Sequence, residues 1–164
     1  MAIGGLPVTI VSANGLPVTV VGGISTSAIS PSASTAELQA AIDSAESDGG
    51  GAVYLASGEG THTALTLPTG VRLIGAGPGL TIINVNASVS GNFIIADNGN
   101  VGTSVENLTI DYQSNANGKH IIDLGVNSKF PTVRNVVFKG NKTRAAITAS
   151  YQTGGVADPD NGNI

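Results

Sequence analysis

Ser34-Thr35-Ala36-Glu37-Leu38-Gln39-Ala40-Ala41-Ile42-Asp43-Ser44-Ala45-Glu46-Ser47 leads through Gly49-Gly50-Gly51 into Ala52-Val53-Tyr54-Leu55. The first part reads as a helix. Ser34 is placed to cap it, and Glu37 stands three residues on to complete a capping box. Leu38, Ala41, Ile42 and Ala45 recur at i, i+3, i+4 and i+7, which makes one apolar stripe. The glycines end it. No second helical pattern follows. A helix ahead of closely spaced strands suits a coiled parallel sheet, whose open N-terminal end needs a plug over its core and backbone edge.

Downstream the chain is a train of short apolar runs separated by turns. They are Ala64 to Pro68, Gly70 to Gly77, Thr81 to Val85, Asn92 to Ala96, Val105 to Ile110, His120 to Leu124, Val133 to Phe138 and Ala145 to Thr148. Ser104-Val105-Glu106-Asn107-Leu108-Thr109-Ile110 aligns with Thr132-Val133-Arg134-Asn135-Val136-Val137-Phe138 at a spacing of 28. Periods of about 20 to 50 residues mark solenoids. In such a coil Asn135 lies over Asn107 as a structural ladder, Val133 over Val105 and Phe138 over Ile110. Glu106 then faces Arg134, and reads as an exposed cross-coil ion pair of at most about 1 kcal/mol. An antiparallel sandwich is the alternative, but it wants tight two-residue hairpins where these gaps are longer.

Residues 1–33 form a separate zone. Gly5-Leu6-Pro7-Val8-Thr9-Ile10-Val11 is echoed ten residues later by Gly15-Leu16-Pro17-Val18-Thr19-Val20-Val21. Pro sets the entry to each copy, and residues of high β-propensity, mostly β-branched, follow. The pair reads as a hairpin too small to stand alone. Its apolar positions Leu6, Pro7, Val8, Ile10, Leu16, Pro17, Val18 and Val20 are the candidates for attachment or oligomerisation by strand addition. A tail, or a strand tucked onto its own domain, is the alternative. Ser25 to Ser34 reads as a linker. The expected organisation is an arm over 1–33, a capping helix and coil over 34–150, and an irregular tail over 151–164.

Composition narrows the function. Charged residues make up 11% of the 164 residues, against about 25% in ordinary soluble domains. The net charge is −4, and six of the seven Lys and Arg residues fall between Lys119 and Arg144. An acidic chain without interleaved basic and aromatic stripes argues against nucleic acid. There is no Cys, so neither a disulfide framework nor a cysteine metal site is available. No run reaches the roughly 18 apolar residues of a membrane-spanning helix, so no membrane insertion is expected. The N-terminus lacks the basic and apolar regions of a secretory signal.

Gly75-Ala76-Gly77-Pro78-Gly79 is not a dinucleotide loop, because a strand follows it rather than a helix. Gly75, Gly77 and Gly79 read as turn residues. His62 and His120 stand alone and read as surface or turn histidines. Among the acids, Asp111 and Asp123 sit at strand ends, where Asp commonly stabilises turns. No catalytic carboxylate pair, cofactor or metal is expected within this chain.

Gly-Gly-Gly-Ala-Val-Tyr-Leu followed by Leu-Thr-Leu-Pro-Thr-Gly-Val-Arg-Leu-Ile-Gly-Ala-Gly-Pro-Gly-Leu-Thr-Ile-Ile resembles the opening of right-handed parallel β-helix proteins of the pectate-lyase-like superfamily. Phage tailspikes and tail fibres use this opening heavily. The resemblance covers about residues 35–150. It implies an all-β chain of about four coils with an N-terminal capping α-helix and a β-strand arm. It further implies a bacteriophage virion structural protein, a tailspike or tail-fibre subunit, whose arm docks to the particle while the coil forms a rigid shaft. The implied partners are two further copies in a homotrimer, other virion proteins of tail, neck or capsid, and host surface polysaccharide. The implied location is the virion, assembled in the host cytoplasm. A fragment of a polysaccharide lyase or hydrolase, and a capsid-surface fibre or decoration protein, are the alternative readings.

Overall fold

The computed structural model describes residues 28–97, 99–113, 120–140 and 146–150, together with the backbone of two short strands in the arm. These two, β1 (Ile10–Val11) and β2 (Pro17–Val18), pair antiparallel, Ile10 opposite Val18. Of the attachment candidates, Leu6, Pro7, Val8, Leu16 and Val20 lie outside the described residues.

Helix α1 (Thr35–Ser47) begins where the capping box places it. Ser34 Oγ accepts from Glu37 N at 3.2 Å, and Glu37 Oε2 accepts from Ser34 N at 2.8 Å. The bond from Ser34 N, then a second from Ser34 Oγ to the same oxygen at 2.8 Å, hold the Glu37 carboxyl below its ordinary pKa. Leu38 and Ile42 are fully buried, and they face the first strands of the coil.

Ten strands follow. They are β3 (Gly51–Tyr54), β4 (Gly58–His62), β5 (Leu65–Leu67), β6 (Val71–Ile74), β7 (Thr81–Val85), β8 (Ile94–Ala96), β9 (Ser104–Asp111), β10 (Ile122–Val126), β11 (Thr132–Lys139) and β12 (Ile147–Ser150). All pairings among them are parallel. One sheet stacks β5, β8, β10 and β12. The other runs β3, β6, β9, β11 in its first half and β4, β7, β9, β11 in its second. Strands separated by a whole circuit of the chain therefore become neighbours, as in a parallel β-helix.

The register stacks like on like inside. Val53, Leu73, Val105 and Val133 form one column, Ile83, Ile110 and Phe138 another, and Leu65, Ile94, Ile122 and Ile147 a third. Most of these side chains are buried, each stabilising the fold by about 1.5–3 kcal/mol. With no Trp and few aromatics, branched aliphatics at the strand spacing fill the coil.

Two features depart from the sequence expectation. Gly58–His62 is a strand although its residues are poor strand formers, because β7 supplies a five-residue parallel partner. Residues 28–33, read as linker, lie on the coil: Ile29 N donates to Tyr54 O at 2.8 Å and Ala56 N donates to Ile29 O at 2.9 Å. His62 is correspondingly no surface histidine. It is completely buried, and its Nε2 donates to Pro31 O at 2.8 Å.

The two ends of the coil differ. At the start, Gln39 Nε2 donates to Thr66 O at 3.0 Å and Gln39 Oε1 accepts from Thr66 N at 2.9 Å. One side-chain amide thus mimics the missing strand beside β5 and blunts that edge. At the far end, β11 pairs with β9 on one side only among the described residues. Its inward residues Val133, Val136 and Phe138 are only partly buried.

Candidate functional site

The outer face of the first sheet half brings three charged side chains together. Residues pointing outward alternate with the buried column, so Tyr54, Ile74, Glu106 and Arg134 stand in one line up the stack. Arg72 and Ser104 stand beside them in the next line. Arg72 Nη2 donates to Glu106 Oε1 at 2.8 Å, and Ser104 Oγ donates to the same oxygen at 2.8 Å. Arg134 Nε donates to Glu106 Oε2 at 3.0 Å, and Arg134 Nη2 also pairs with that oxygen. Glu106 is therefore not the exposed half of a simple pair. It is 3% exposed, covered by the partners that neutralise it. Hydrogen bonds from Arg72, then Ser104 and Arg134, pull its carboxyl down to about 2. Arg72 and Arg134 keep 45% and 68% of their side chains exposed.

The Asn107 and Asn135 side chains lie at the bend between the two sheet halves. Both residues adopt positive φ, 55° and 53°. That single left-handed residue turns β9 and β11 from one half into the other while the strand stays paired on either side. Asn135 Nδ2 donates to Asn107 Oδ1 at 2.9 Å, across 28 residues of sequence. One level below, the same corner is made by Gly75 to Leu80 between β6 and β7. Gly79 has φ 79°, and a Cβ on Gly75 would come within 2.4 Å of Asn107 O.

Three further acids on the coil have structural partners, while Asp97 stands exposed in a turn. Glu59 Oε1 accepts from Asn84 Nδ2 at 2.7 Å. Asp111 Oδ1 accepts from Gln113 N at 2.7 Å. Asp123 accepts from Asn92 Nδ2 at 2.5 Å and from Gly125 N at 3.0 Å. Among the described residues no three His, Asp or Glu side chains gather as metal ligands, and no helix is long and apolar enough to cross a membrane.

Sequence reasoning missed the role of Arg72. It lies 34 residues before Glu106, outside the repeat that pairs Glu106 with Arg134. Only the register of β6 on β9 brings it there.

The family described as rhamnogalacturonase A/epimerase, pectate lyase-like, matches residues 31–162. The chain belongs to this family. The match spans the helix and every strand of the coil. Two solved structures from Azotobacter vinelandii are similar to this pectate lyase-like chain. They are the A-modules of the mannuronan C-5 epimerases AlgE4 and AlgE6, each 25% identical over 70% of the chain, with TM-scores of 0.51 and 0.52. The chain spans 39% and 38% of their lengths. No curated protein matches it.

Proposed function

We propose that this chain is the base of a polysaccharide-directed fibre, a tailspike or tail-fibre subunit of a bacteriophage virion. In this reading the arm over residues 1–33 anchors it to tail, neck or capsid proteins. Three copies stand side by side, and the coil is a rigid shaft toward host surface polysaccharide. The observation that carries the reading is how four of the five acids among the described residues of the coil are used. Glu59, Glu106, Asp111 and Asp123 each accept hydrogen bonds that hold neighbouring levels or turns in place. A hydrolytic centre needs a carboxylate pair set apart for substrate, about 5–9.5 Å between the two. Side chains spent on cross-coil bonds build a shaft instead.

The test is particle incorporation and mass in solution. Replacing Gly5 to Val21 with a neutral linker is expected to abolish incorporation into virions. Light scattering on the intact chain is expected to give a trimer. Normal incorporation of the replaced chain, or a monomer, overturns the corresponding part of the reading.

A second reading is favoured by the family and by the epimerase-like structures. It makes the chain part of an enzyme acting on an acidic polysaccharide. Incubation with polymannuronate and with polygalacturonate, followed by NMR for epimerised residues and absorbance for unsaturated ends, decides it. Turnover with either polymer would replace the fibre reading.

A further inference from the structure

Gly58, Gly60 and His62 share one side of β4, since strand residues two apart point the same way. Pro31 of the lead-in lies against that side. A Cβ on Gly58 would meet the Pro31 ring at 3.5 Å, and a Cβ on Gly60 would fall within 1.6 Å of Pro31 O. Two missing side chains thus make a bed for the lead-in, and the third position, His62, bonds to the carbonyl that lies in it. Pro31 and His62 are both buried. The lead-in has few other holds: the two backbone bonds of Ile29 to Tyr54 and Ala56.

The two ring nitrogens of His62 stand in different chemistry. Pro31 O can only accept, so Nε2 carries the proton and the neutral ring keeps its lone pair on Nδ1. Nδ1 is buried and has no hydrogen-bond partner among the described residues. Protonation there would put a charge and a second N–H donor into an apolar interior. The elements around it hold no anion ready to receive them. The residue of β7 in register with His62 is Val85. Glu59 lies on the other side of β4 and accepts from Asn84. On the helix, Glu37 is closed in the capping box and Asp43 accepts from Gln39, while Glu46 and Asp48 lie exposed at the far end. On β9, Asp111 accepts from Gln113 N and Glu106 lies between its two arginines. Tyr112, just beyond β9, is buried and stays neutral at acid pH, since burial pushes its hydroxyl up.

We infer that His62 is a proton-operated latch: the neutral ring holds Pro31 against β4, and protonation releases residues 28–33 from the coil. The charged ring gains water only by leaving its site, and Pro31 lies across that site. The closed state thus binds fewer protons than the open one. Its stability is full above the ordinary histidine range of about 6.5 and declines as pH falls below it. Helix α1 keeps its own hold through Leu38, Ile42 and the bonds of Gln39 to Thr66, so acid frees the root of the arm while the coil stays folded.

The test is NMR on the full chain from about pH 7.5 to 5, with amide exchange expressed as protection factors so that the intrinsic pH dependence is removed. Ring nitrogen shifts are expected to show the Nε2–H tautomer of His62 at the upper end. Protection of the Ile29 and Ala56 amides is expected to fall by up to about tenfold per pH unit below 6.5, while the Leu65 and Gly75 amides inside the coil keep theirs. His62→Gln cannot titrate, so its Ile29 protection is expected to be flat with pH, whatever its level. His120→Gln is expected to keep the slope of the parent. Flat protection in the parent, a slope that survives in His62→Gln, an equal fall at Leu65 and Gly75, or the Nδ1–H tautomer would each overturn the latch.

Discussion

Glu106 shows how one carboxylate holds three levels of a coil together. Its two oxygens take Arg72 from the level before and Arg134 from the level after, with Ser104 on its own strand. Because both arginines are exposed, solvent screens much of the attraction. Glu106→Gln is expected to lower stability by about 1–2 kcal/mol at neutral pH, from lost charge-assisted hydrogen bonds. The folded carboxyl sits at about 2 against an ordinary 4.5, so the unfolded chain takes up the proton first as pH falls. The stabilisation is complete above pH 4.5 and is lost on the way down to about 2. Melting curves of parent and Glu106→Gln should therefore stay apart by a constant interval above about pH 5 and converge below it. A constant interval down to pH 2 would mean that the carboxylate charge is not what stabilises.

At the scale of elements, the corners decide more than the strands. Asn107 carries φ 55° in the middle of an eight-residue strand. Asn tolerates that conformation and a β-branched residue does not. Asn107→Gly keeps the bend and loses the ladder bond to Asn135, at a cost of about 1 kcal/mol. Asn107→Val adds backbone strain and is expected to cost about 2–4 kcal/mol in total by urea denaturation. Equal costs for the two would show that the ladder, not the bend, is what matters. Gly60 is a second such position. A Cβ there would come within 1.6 Å of Pro31 O, so Gly60→Ala is expected to lift the lead-in segment off the coil. Faster proteolysis near Ala33 would report it, with loss of about 1–3 kcal/mol. The helix with its capping box was legible because both signals are local. The strand Gly58–His62 was not, because only its place against Thr81–Val85 makes it one.

At the scale of the whole molecule, the start of the coil is sealed, whereas among the described residues β11 pairs on one side only. The seal consists of α1, Gln39 against Thr66, Ile29 against Leu55, and Pro31 over His62. Among the described residues it reaches back past the helix to Ile29. A chain lacking residues 1–27 keeps Ile29, Pro31 and the helix, and serves as the reference. Deleting 1–33 also removes Ile29 and Pro31, orphans the buried His62 Nε2, and costs about 2–4 kcal/mol, or on the order of 5–15 °C by differential scanning calorimetry. Equal melting temperatures for the two deletions would show that the lead-in contributes nothing to the seal. Separating the two deletions also separates anchoring from stability in any incorporation experiment.

The amino-acid order alone specified the capped helix, the aliphatic runs and the repeat that sets Asn135 on Asn107 and Arg134 on Glu106. Those signals reside in neighbouring residues or in a regular period, so they survive without coordinates. Only the tertiary structure recruited Arg72 to Glu106, buried His62 under Pro31 and made a strand of Gly58–His62. Each of these depends on which strand lies beside which after a full circuit of the chain. The circuits differ in length because their turns differ, so their register is set by core packing and backbone pairing and not by any spacing readable along the chain.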